Sequence, residues 1–295
     1  MGDAHDLIDV AWVTCKDLPE PDPDEAPTLA ALRNAGLSVE TLAWDGPDAE
    51  RTSRFSICVL RSCWNYFEHP DAFKRWVAQA THSSALYNRQ SVVLWNLHKR
   101  YLGALAARGV PIVPTLFLER GGAAPLTELI AREGWSDVVI KPAISAGSFA
   151  TACFREAEFE AAQAFLIEHL ELRDMLVQCF VPSVQTTGEK SLVWIDGDFT
   201  HAVIKQPRFL DDDESVSAAL PVDGATADLG RVVLASACQD ISIQLSDLLY
   251  ARVDIVQHGG QWVVSELELL EPSLFLSQSP AALERFVDAL STRCR

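Results

Sequence analysis

Residues 250–269 read YARVDIVQHGGQWVVSELEL, two runs of alternating polar and apolar residues on either side of Gly259-Gly260. This pattern is typical of a β-hairpin. Residues two apart along a strand share a face, so one side of the hairpin carries all of its charges. Those charged residues are Arg252, Asp254, Glu266 and Glu268. We expect a three-residue loop, 258–260, because it places Arg252 opposite Glu266, whereas a two-residue loop is expected to break this register.

Three carboxylates on one face repel each other unless a cation lies among them. Carboxylate oxygens, together with substrate phosphates, are the ligands that Mg²⁺ takes in proteins. The chain has no H-E-x-x-H motif and no His/Cys cluster of the kind that binds zinc. The hairpin therefore predicts a magnesium site formed by Asp254, Glu266 and Glu268. The alternative is a solvated polar face with one cross-strand ion pair.

The composition is that of a globular protein, and it excludes several classes of function. The chain has 295 residues, which at roughly 150 residues per domain suggests two domains and allows three small ones. Lys plus Arg is 24 and Asp plus Glu is 41, and the net charge of −17 argues against binding to nucleic acid or to an anionic membrane. No apolar run reaches the roughly 18 residues of a membrane span. The seven scattered cysteines favour reduced thiols in the cytoplasm.

The order of strands and helices predicts an α/β (α+β) fold that begins with a parallel sheet over residues 1–92. A strand–helix–strand order requires parallel strands joined by right-handed crossovers. The expected strands of this first domain are 7–14, 37–43 and 55–60, the expected helices are 28–35, ended by Gly36, and 70–80, and residues 20–27 are expected to form a loop.

Two further domains are expected over residues 93–181 and 182–295. In the first of them we expect a helical stripe over 97–105, a helix over 156–170, and strands over 110–113, 137–140 and 175–181. In the second we expect a hairpin over 191–204 that turns at Asp196-Gly197, an acidic loop at 211–214, a helix over 229–245 and the charged hairpin.

Lys141 ends the apolar run 138–140 and is followed by a loop of small residues that includes Ser145 and Gly147. Such a loop can wrap its backbone N–H groups around phosphate oxygens. The chain has neither a Walker A motif nor a G-x-G-x-x-G motif. The alternative is that Lys141 extends to solvent along its aliphatic stem.

In their order along the chain, these features resemble the ATP-grasp superfamily of carboxylate–amine ligases. The resemblance covers residues 61–275 and implies an N-terminal Rossmann-like substrate domain, followed by two α+β lobes that enclose the nucleotide. It implies that ATP is bound by Lys99, Lys141, Ser145, Gly147, Gln178, Phe180, Val181 and Glu189, with the backbone of strand 177–181 on the adenine edge and Glu189 on the ribose hydroxyls. It implies that Mg²⁺ is bound by Asp254, Glu266 and Glu268. The catalytic residues that it implies are Arg252 and Lys205. Glu268 stands where the family has an asparagine, which adds a charge to the metal site.

The chemistry that the resemblance implies is an ATP-dependent, ADP-forming carbon–nitrogen ligation. The γ-phosphoryl group passes to a substrate carboxylate, and a nitrogen nucleophile attacks the acyl phosphate. Phosphoryl transfer needs positioning and charge neutralisation more than covalent help from the protein, and a set of lysines, an arginine and metal-binding acids can supply both.

Five residues are predicted to contact the substrate or to shape its pocket, and three of them have a simpler alternative. Arg61 ends a parallel strand, where open α/β sheets present ligand-binding groups, and it can grip a carboxylate; the alternative is an ion pair with Glu68 or Asp71. Trp64, Asn65 and Tyr66 follow it and can shape a small pocket, although Trp64 also suits a core. Ser273 is predicted to touch the substrate, and its alternative is a turn serine.

Residues 61–70, 95–99 and 267–275 are most similar to the branch of the family that contains the D-cycloserine-forming ligases of antibiotic biosynthesis. That branch implies ring closure of O-ureido-D-serine by nitrogen attack within one molecule. The region 178–197 is similar to glutathione synthetase, but Ser191 replaces its substrate-binding arginine. Three alternatives stay open: an acyclic ligase that joins two small substrates, an ATP-binding regulatory protein without catalysis, and a metal-dependent hydrolase that uses no ATP.

Overall fold

The computed structural model describes residues 7–122, 125–206, 215–220 and 223–295. The predicted acidic loop at 211–214 lies outside the described residues. Among the described residues, no helix is both long enough and apolar enough to cross a membrane.

The first sheet is parallel throughout, as the strand–helix–strand order predicts. Its strands lie in the order β2-β1-β3-β4. The strands are β1 (Ile8–Thr14), β2 (Val39–Ala43), β3 (Phe55–Ser62) and β4 (Ala85–Tyr87), and the helices are α1 (Glu25–Asn34) and α2 (Pro70–Ser83). Gly36 has φ of +88° and follows the end of α1 as expected. The loop predicted over 20–27 is wrong in its second half, because α1 already begins at Glu25, after a turn in which the Asp22 carboxylate accepts from the Asp24 N–H.

The second sheet is antiparallel, with strand order β5-β8-β6-β7. Its region contains α3 (Gln90–Asn96), α4 (Tyr101–Ala107), β5 (Thr115–Leu118), α5 (Leu126–Glu133), β6 (Val138–Pro142), β7 (Ala152–Phe154), α6 (Phe159–Leu170) and β8 (Met175–Cys179). The predicted stripe over 97–105 is divided, because the chain turns between α3 and α4 where the Lys99 N–H donates to the Ala143 carbonyl oxygen at 2.7 Å. The predicted strand 110–113 is reduced to a single bridge at Ile112, and β5 follows it instead.

The third sheet has strand order β11-β10-β9-β12-β13 and is antiparallel in all its pairs. Its region contains α7 (Ser183–Thr186), β9 (Glu189–Ile195), β10 (Asp198–Gln206), β11 (Ser215–Val216), α8 (Gly224–Ile241), β12 (Tyr250–His258), β13 (Gln261–Glu268) and α9 (Pro280–Arg293). The hairpin at Asp196-Gly197 is confirmed. Helix α8 begins five residues before the predicted start, where the Asp223 carboxylate accepts from the Ala225 N–H.

The charged hairpin differs from the prediction in its register. Its loop has two residues, Gly259 and Gly260, so His258 pairs with Gln261. A bulge beside Ser265 then shifts the pairing by one residue, and Arg252 lies opposite Glu268 while Asp254 lies opposite Glu266. The predicted loop and the predicted partner of Arg252 are therefore wrong. The two differences compensate, however, so the charged residues still share one face.

Buried polar side chains join the first sheet to the third. The Asn88 amide nitrogen donates to the carbonyl oxygens of Tyr250 and Leu269 at 2.9 and 2.8 Å, and its oxygen accepts from the Leu249 N–H at 2.8 Å. The Tyr250 hydroxyl lies 2.8 Å from the Leu60 carbonyl oxygen at the end of β3. These contacts fix β12 against the carboxyl end of the parallel sheet. Each sheet lies within one of the three predicted ranges, and the division into domains at those bounds stays a prediction.

Candidate active site

A cavity of about 540 Å³ lies where the three sheets meet, and it collects most of the predicted site. The predicted residues that line it are Trp64, Asn65, Lys99, Lys141, Ser145, Gly147, Gln178, Phe180, Val181, Glu189, Lys205, Arg252, Glu266, Glu268 and Ser273. The two predicted residues that do not line it are Arg61 and Asp254, both about 1% exposed.

Asp254 organises two cations behind the cavity wall. Its carboxylate accepts from Arg252 Nε and Nη2 at 3.0 Å each, and from Lys205 Nζ at 2.9 Å. Lys205 also pairs with Glu189 at 2.9 Å, and Arg252 also pairs with Glu268. Burial lowers the pKa of Arg252 and Lys205, but the surrounding carboxylates outweigh it and raise both above their ordinary values. The cavity therefore contains two fixed positive charges that stay protonated at any physiological pH.

Two lysines lie at the other side of the carboxylate face. Lys99 is 8% exposed, pairs with Glu266, and donates to the Ser145 carbonyl oxygen at 3.2 Å. Burial lowers the pKa of Lys141, while Glu266 acts in the opposite direction. An anionic ligand beside Lys141 therefore stabilises its charged form.

The pKa values of Glu266 and Glu268 are shifted in opposite directions. Burial raises the pKa of Glu266, but the charges of Lys99 and Lys141 overcome it and lower the pKa below the ordinary value. Burial raises the pKa of Glu268 despite the nearby Arg252, and the charge of Glu266 adds to the rise. Crowded carboxylates of this kind at a cavity wall fit a divalent cation that takes further oxygens from phosphates.

Asp254 is less suited to direct metal contact than the sequence predicts. Its carboxylate is occupied by Arg252 and Lys205, and it faces no open space in the cavity. Within the part of the chain that the structure describes, no group of three His, Cys, Asp or Glu side chains is arranged to hold a metal ion. The physical reason is that each predicted carboxylate is paired with a cation of the chain itself. The metal assignment of Asp254 stays a prediction.

The predicted adenine-binding strand ends at the cavity wall. The Gln178 side chain is 5% exposed and donates to Thr115 Oγ1 at 2.9 Å. The Phe180 N–H already donates to the Asp137 carbonyl oxygen at 2.9 Å. Of the predicted backbone contacts to adenine, the Phe180 N–H is therefore occupied within the chain. Glu189 accepts from Ser265 Oγ at 2.5 Å in addition to its pair with Lys205.

The loop after β6 contacts the first domain through aromatic rings. Phe149 stacks on Phe67 with ring centroids 4.4 Å apart, and the Tyr66 hydroxyl donates to the Ser145 carbonyl oxygen at 3.2 Å. Gly147 has φ of +56°, in the left-handed region that favours glycine. The loop therefore closes over the cavity against residues 66–67, which were not predicted to contact it.

Arg61 is placed differently from its prediction as a substrate-binding residue. Its guanidinium lies among the rings of Trp12, Tyr250 and Phe286, between 5.2 and 5.9 Å from their centroids. It donates to the Pro272 carbonyl oxygen at 2.9 Å, and it pairs with neither Glu68 nor Asp71. The end of a buried strand predicts a functional position from sequence, but here it supplies support for residues 270–275.

Asn65 and Ser273 line the cavity with groups that are partly occupied. The Asn65 amide accepts from Trp44 Nε1 at 2.8 Å and donates to the Asp45 carboxylate at 2.6 Å. The Ser273 carbonyl oxygen accepts from Arg252 Nη1 at 3.1 Å, which leaves the Ser273 hydroxyl for a ligand. Both residues hold the cavity wall in place as well as lining it.

Comparisons with known proteins agree with this geometry. A family model described as the N-terminal domain of D-cycloserine synthetase DcsG matches residues 10–88. The cycloserine biosynthesis protein DcsG of Streptomyces lavendulae is 30% identical over 285 residues, which are 93% of this chain and 95% of that protein. The chain belongs to the DcsG family, and its fold is that of the ATP-grasp ligases.

Two solved structures are similar to the chain over almost its whole length. A crystal structure of D-cycloserine synthetase DcsG has a TM-score of 0.88 and 30% identity, and covers 97% of this chain and 99% of that chain. D-alanine–D-alanine ligase from Bacillus anthracis, complexed with ATP, has a TM-score of 0.69 and 11% identity over 97% of both chains. The second likeness shows the shared ATP-grasp fold alone.

Glu271 and the pair Phe67 and Phe149 were not predicted from the sequence, whereas Tyr66, which was predicted to help shape a small pocket, lines the cavity. Glu271 lines the cavity and is 7% exposed. The signal for it in the sequence is weak, because Glu271 is a third acid close to Glu266 and Glu268 but is three residues from Glu268 and so departs from their alternation. The aromatic contacts carry no local signal, since 82 residues separate Phe67 from Phe149.

Proposed function

We propose that this ATP-grasp ligase transfers the γ-phosphoryl group of ATP to a substrate carboxylate, and that a nitrogen nucleophile attacks the acyl phosphate to form a carbon–nitrogen bond. The specific reaction that we propose is ring closure of O-ureido-D-serine to D-cycloserine, in which ATP and one water molecule are consumed and ADP, phosphate, carbon dioxide and ammonia are released; the water takes up the carbamoyl group that leaves the ring nitrogen. The single observation that carries the proposal is the cavity in which Arg252, Lys205, Lys99 and Lys141 face carboxylates of the charged hairpin.

The two sets of cations have different roles in this mechanism. Lys99 and Lys141 hold the α- and β-phosphates, because both lie beside Glu266 and Lys141 lacks an ion-pair partner among the described residues. Arg252 and Lys205 stabilise the charge that develops as the γ-phosphoryl group moves. Their fixed pairs with Asp254 position them before the substrate arrives.

Other residues bind the rest of the nucleotide and the metal. Gln178, Phe180 and Val181 border the adenine, Glu189 binds the ribose hydroxyls, and Ser145 and Gly147 belong to the loop over the phosphates. Glu266 and Glu268 hold Mg²⁺, with Asp254 behind them. When bound, Mg²⁺ neutralises phosphate charge and orients the phosphates.

The substrate occupies the end of the cavity that Trp64, Asn65 and Ser273 line. The closed loop at 145–151 keeps water from the acyl phosphate, because Phe149 seals it against Phe67. An acyl phosphate that water reaches is hydrolysed, and the ATP is then consumed without product.

Product analysis tests the proposal. The protein is incubated with Mg²⁺, ATP and a panel of small amino acids that includes O-ureido-D-serine, and ADP, AMP, phosphate and D-cycloserine are measured. We expect ADP and phosphate that depend on O-ureido-D-serine, one D-cycloserine for each ADP, and no AMP. Lys141→Met is expected to abolish turnover, whereas Lys190→Met is the matched control, since Lys190 pairs with Asp223 outside the cavity.

Other outcomes assign the site differently. ADP formation with two separate substrates and not with O-ureido-D-serine favours an acyclic ligase. Binding of ATP without turnover on any panel member favours a regulatory protein. Failure of the wild-type protein to bind ATP contradicts the proposal as a whole.

A further inference from the structure

Glu271 is a buried carboxylate in the cavity wall without a cation of its own. It is 7% exposed and lines the cavity. The lining carboxylates Glu189, Glu266 and Glu268 each pair with a lysine or arginine of the chain. Within residues 7–122, 125–206, 215–220 and 223–295, no side chain or backbone N–H forms a hydrogen bond or ion pair with the Glu271 carboxylate.

The cations near Glu271 are Arg252, Lys99 and Arg61. Each of them donates to another group, although Arg61 keeps its Nε and Nη1 without a hydrogen-bond partner. Arg252 donates to Asp254, Glu268 and the Ser273 carbonyl oxygen. Arg61 donates to the Pro272 carbonyl oxygen, one residue after Glu271. A buried carboxylate without a partner is costly, because desolvation penalises its charge. Burial and the charge of Glu268 raise the pKa of Glu271 above its ordinary value, although the charges of Arg252, Lys99 and Arg61 act against them. Its place in a cavity wall points to a positive group that arrives with a ligand.

The segment that carries Glu271 is held rigidly. The Pro272 carbonyl oxygen accepts from Arg61 at 2.9 Å, and the Ser273 carbonyl oxygen accepts from Arg252 at 3.1 Å. The backbone on the carboxyl side of Glu271 is therefore fixed by two buried guanidinium groups. A carboxylate on such a support is preorganised, so a ligand does not bear the entropy of ordering it.

The location of Glu271 assigns it to the substrate end of the cavity. After burial, the charge of Glu271 is the next cause that raises the pKa of Tyr66 and of Cys63, so its carboxylate lies beside the loop that follows β3. That loop also carries Trp64, which lines the same cavity. Of the two lysines proposed to face the phosphates, Lys99 pairs with Glu266 and its charge also acts on Glu271, whereas Lys141 acts on Glu266.

From this placement we infer that Glu271 binds a primary ammonium group of the substrate and selects substrates with a free amino group. The inference rests on the proposed function for the position of the substrate carboxylate beside Arg252. Since Arg252 contacts Ser273, two residues after Glu271, the carboxylate and ammonium of one α-amino acid can face Arg252 and Glu271 together. Glu271 is then the residue that distinguishes an amino acid from the corresponding simple acid.

Binding measurements test this assignment without requiring turnover. The dissociation constants of O-ureido-D-serine and of 3-(ureidooxy)propanoic acid, which lacks the amino group, are measured by calorimetry with Mg²⁺ and a non-hydrolysable ATP analogue. We expect the wild-type protein to bind the amino acid at least about 30-fold more tightly, which corresponds to the loss of a buried charge pair. In Glu271→Gln the two probes are expected to differ by less than about three-fold.

Two controls separate this role from a structural one. Glu271→Gln keeps the size of the side chain, and its affinity for the ATP analogue and its melting temperature are expected to match the wild type. Glu68→Gln makes the same change at an exposed carboxylate of the cavity rim, and it is expected to keep the full preference for the amino acid.

The binding of the two probes by the wild type and by Glu271→Gln supports or contradicts the ammonium site. Equal binding of the two probes by the wild type overturns it, and so does failure to bind either probe. A preference that persists in Glu271→Gln also overturns it, and lower turnover of both probes would then indicate a general base. Tight, Glu271-dependent binding without ADP formation supports the ammonium site and contradicts the proposed ligase reaction. Turnover together with a preference for the amino acid that is unchanged in Glu271→Gln supports the ligase reaction and contradicts the ammonium site.

Discussion

Asp254 is a buried carboxylate that fixes the positions of two cations at the cavity. It is 1% exposed and fixes Arg252 and Lys205, the two cations that face the cavity. Two buried cations beside each other repel, and the carboxylate between them compensates. The residue therefore determines where the positive charges lie, whichever anion later meets them.

We expect Asp254→Asn to lower the free energy of unfolding by about 3–5 kcal/mol, because it leaves buried positive charge uncompensated. The measurement is urea denaturation in the absence of nucleotide and metal. Asp198→Asn is the matched control: its pair with Arg285 is exposed, and exposed pairs contribute about 0–1 kcal/mol. A variant that keeps wild-type stability and loses only Mg²⁺ dependence would instead make Asp254 a metal ligand.

Residue types and spacing predicted the chemical character of the site well and its contacts less well. The positions 252, 254, 266 and 268 follow from strand alternation, which is a local property. Arg61 follows the same kind of argument, yet its side chain turns into the rings of Trp12 and Tyr250. Which way a side chain points at a strand end depends on packing between distant segments, and alternation contains no information on that.

At the scale of elements, the loop after β6 depends on a single aromatic contact with the first domain. Phe149 belongs to the loop and Phe67 to the segment after β3, and their rings stack at 4.4 Å. Residues near the substrate and the loop over the phosphates therefore move together. In the proposed reaction this contact joins substrate binding to exclusion of water.

We expect Phe149→Ala to increase hydrogen exchange in residues 145–151, because an aromatic pair contributes about 0.5–1.5 kcal/mol, up to roughly a ten-fold change in opening. In the proposed reaction the ratio of ADP to product is expected to rise above one. Phe67→Ala should have the same effect, and the double variant should add little to either. Additive effects of the two substitutions would show that the rings act independently.

At the scale of the whole molecule, the three sheets meet through a small number of buried polar contacts. Asn88 alone satisfies three backbone groups, at Leu249, Tyr250 and Leu269. Asn96 adds two more, at Leu267 and Leu269. The third sheet is therefore positioned against the first by amide side chains, and the cavity between them keeps its width.

We expect Asn88→Ala to cost at least about 3 kcal/mol of stability, since each unsatisfied buried group costs about 1–3 kcal/mol. Thermal and chemical unfolding measure it. Asn34→Ala, an exposed change at the end of α1, is expected to stay within about 0.5 kcal/mol of the wild type. A similar loss of stability in both variants would show that the three buried hydrogen bonds of Asn88 contribute no more than an exposed side chain does.

The overall architecture was accessible from sequence because it rests on repeated local patterns. The parallel first sheet and the hairpin at Asp196-Gly197 follow from element order and turn residues. Strand β5 was missed because it has four residues without alternation. Helix α5 was missed although Pro125 and Glu128 at its start and Gly134 at its end are helix signals that the sequence contains. Asn88 and Glu271 were missed because their roles depend on groups far away in the chain or absent from it.

The bulge at Ser265 and the length of the turn together determine which face of the hairpin carries the acids. Compared with a three-residue turn, the two-residue turn shifts the strand pairing by one residue, which by itself would turn the acids away from Arg252. The extra residue in β13 shifts the pairing by one more residue, so the acids lie on the same face as Arg252. Deleting Ser265 removes the bulge together with its extra residue, so Asp254 should stay opposite Glu266 and the acids should stay on the face of Arg252. A regular ladder that kept Ser265 would instead pair Ser265 with Asp254 and turn Glu266 and Glu268 towards the core. Related hairpins can therefore exchange turn length against bulges without losing the site, and only the sum of the two is constrained.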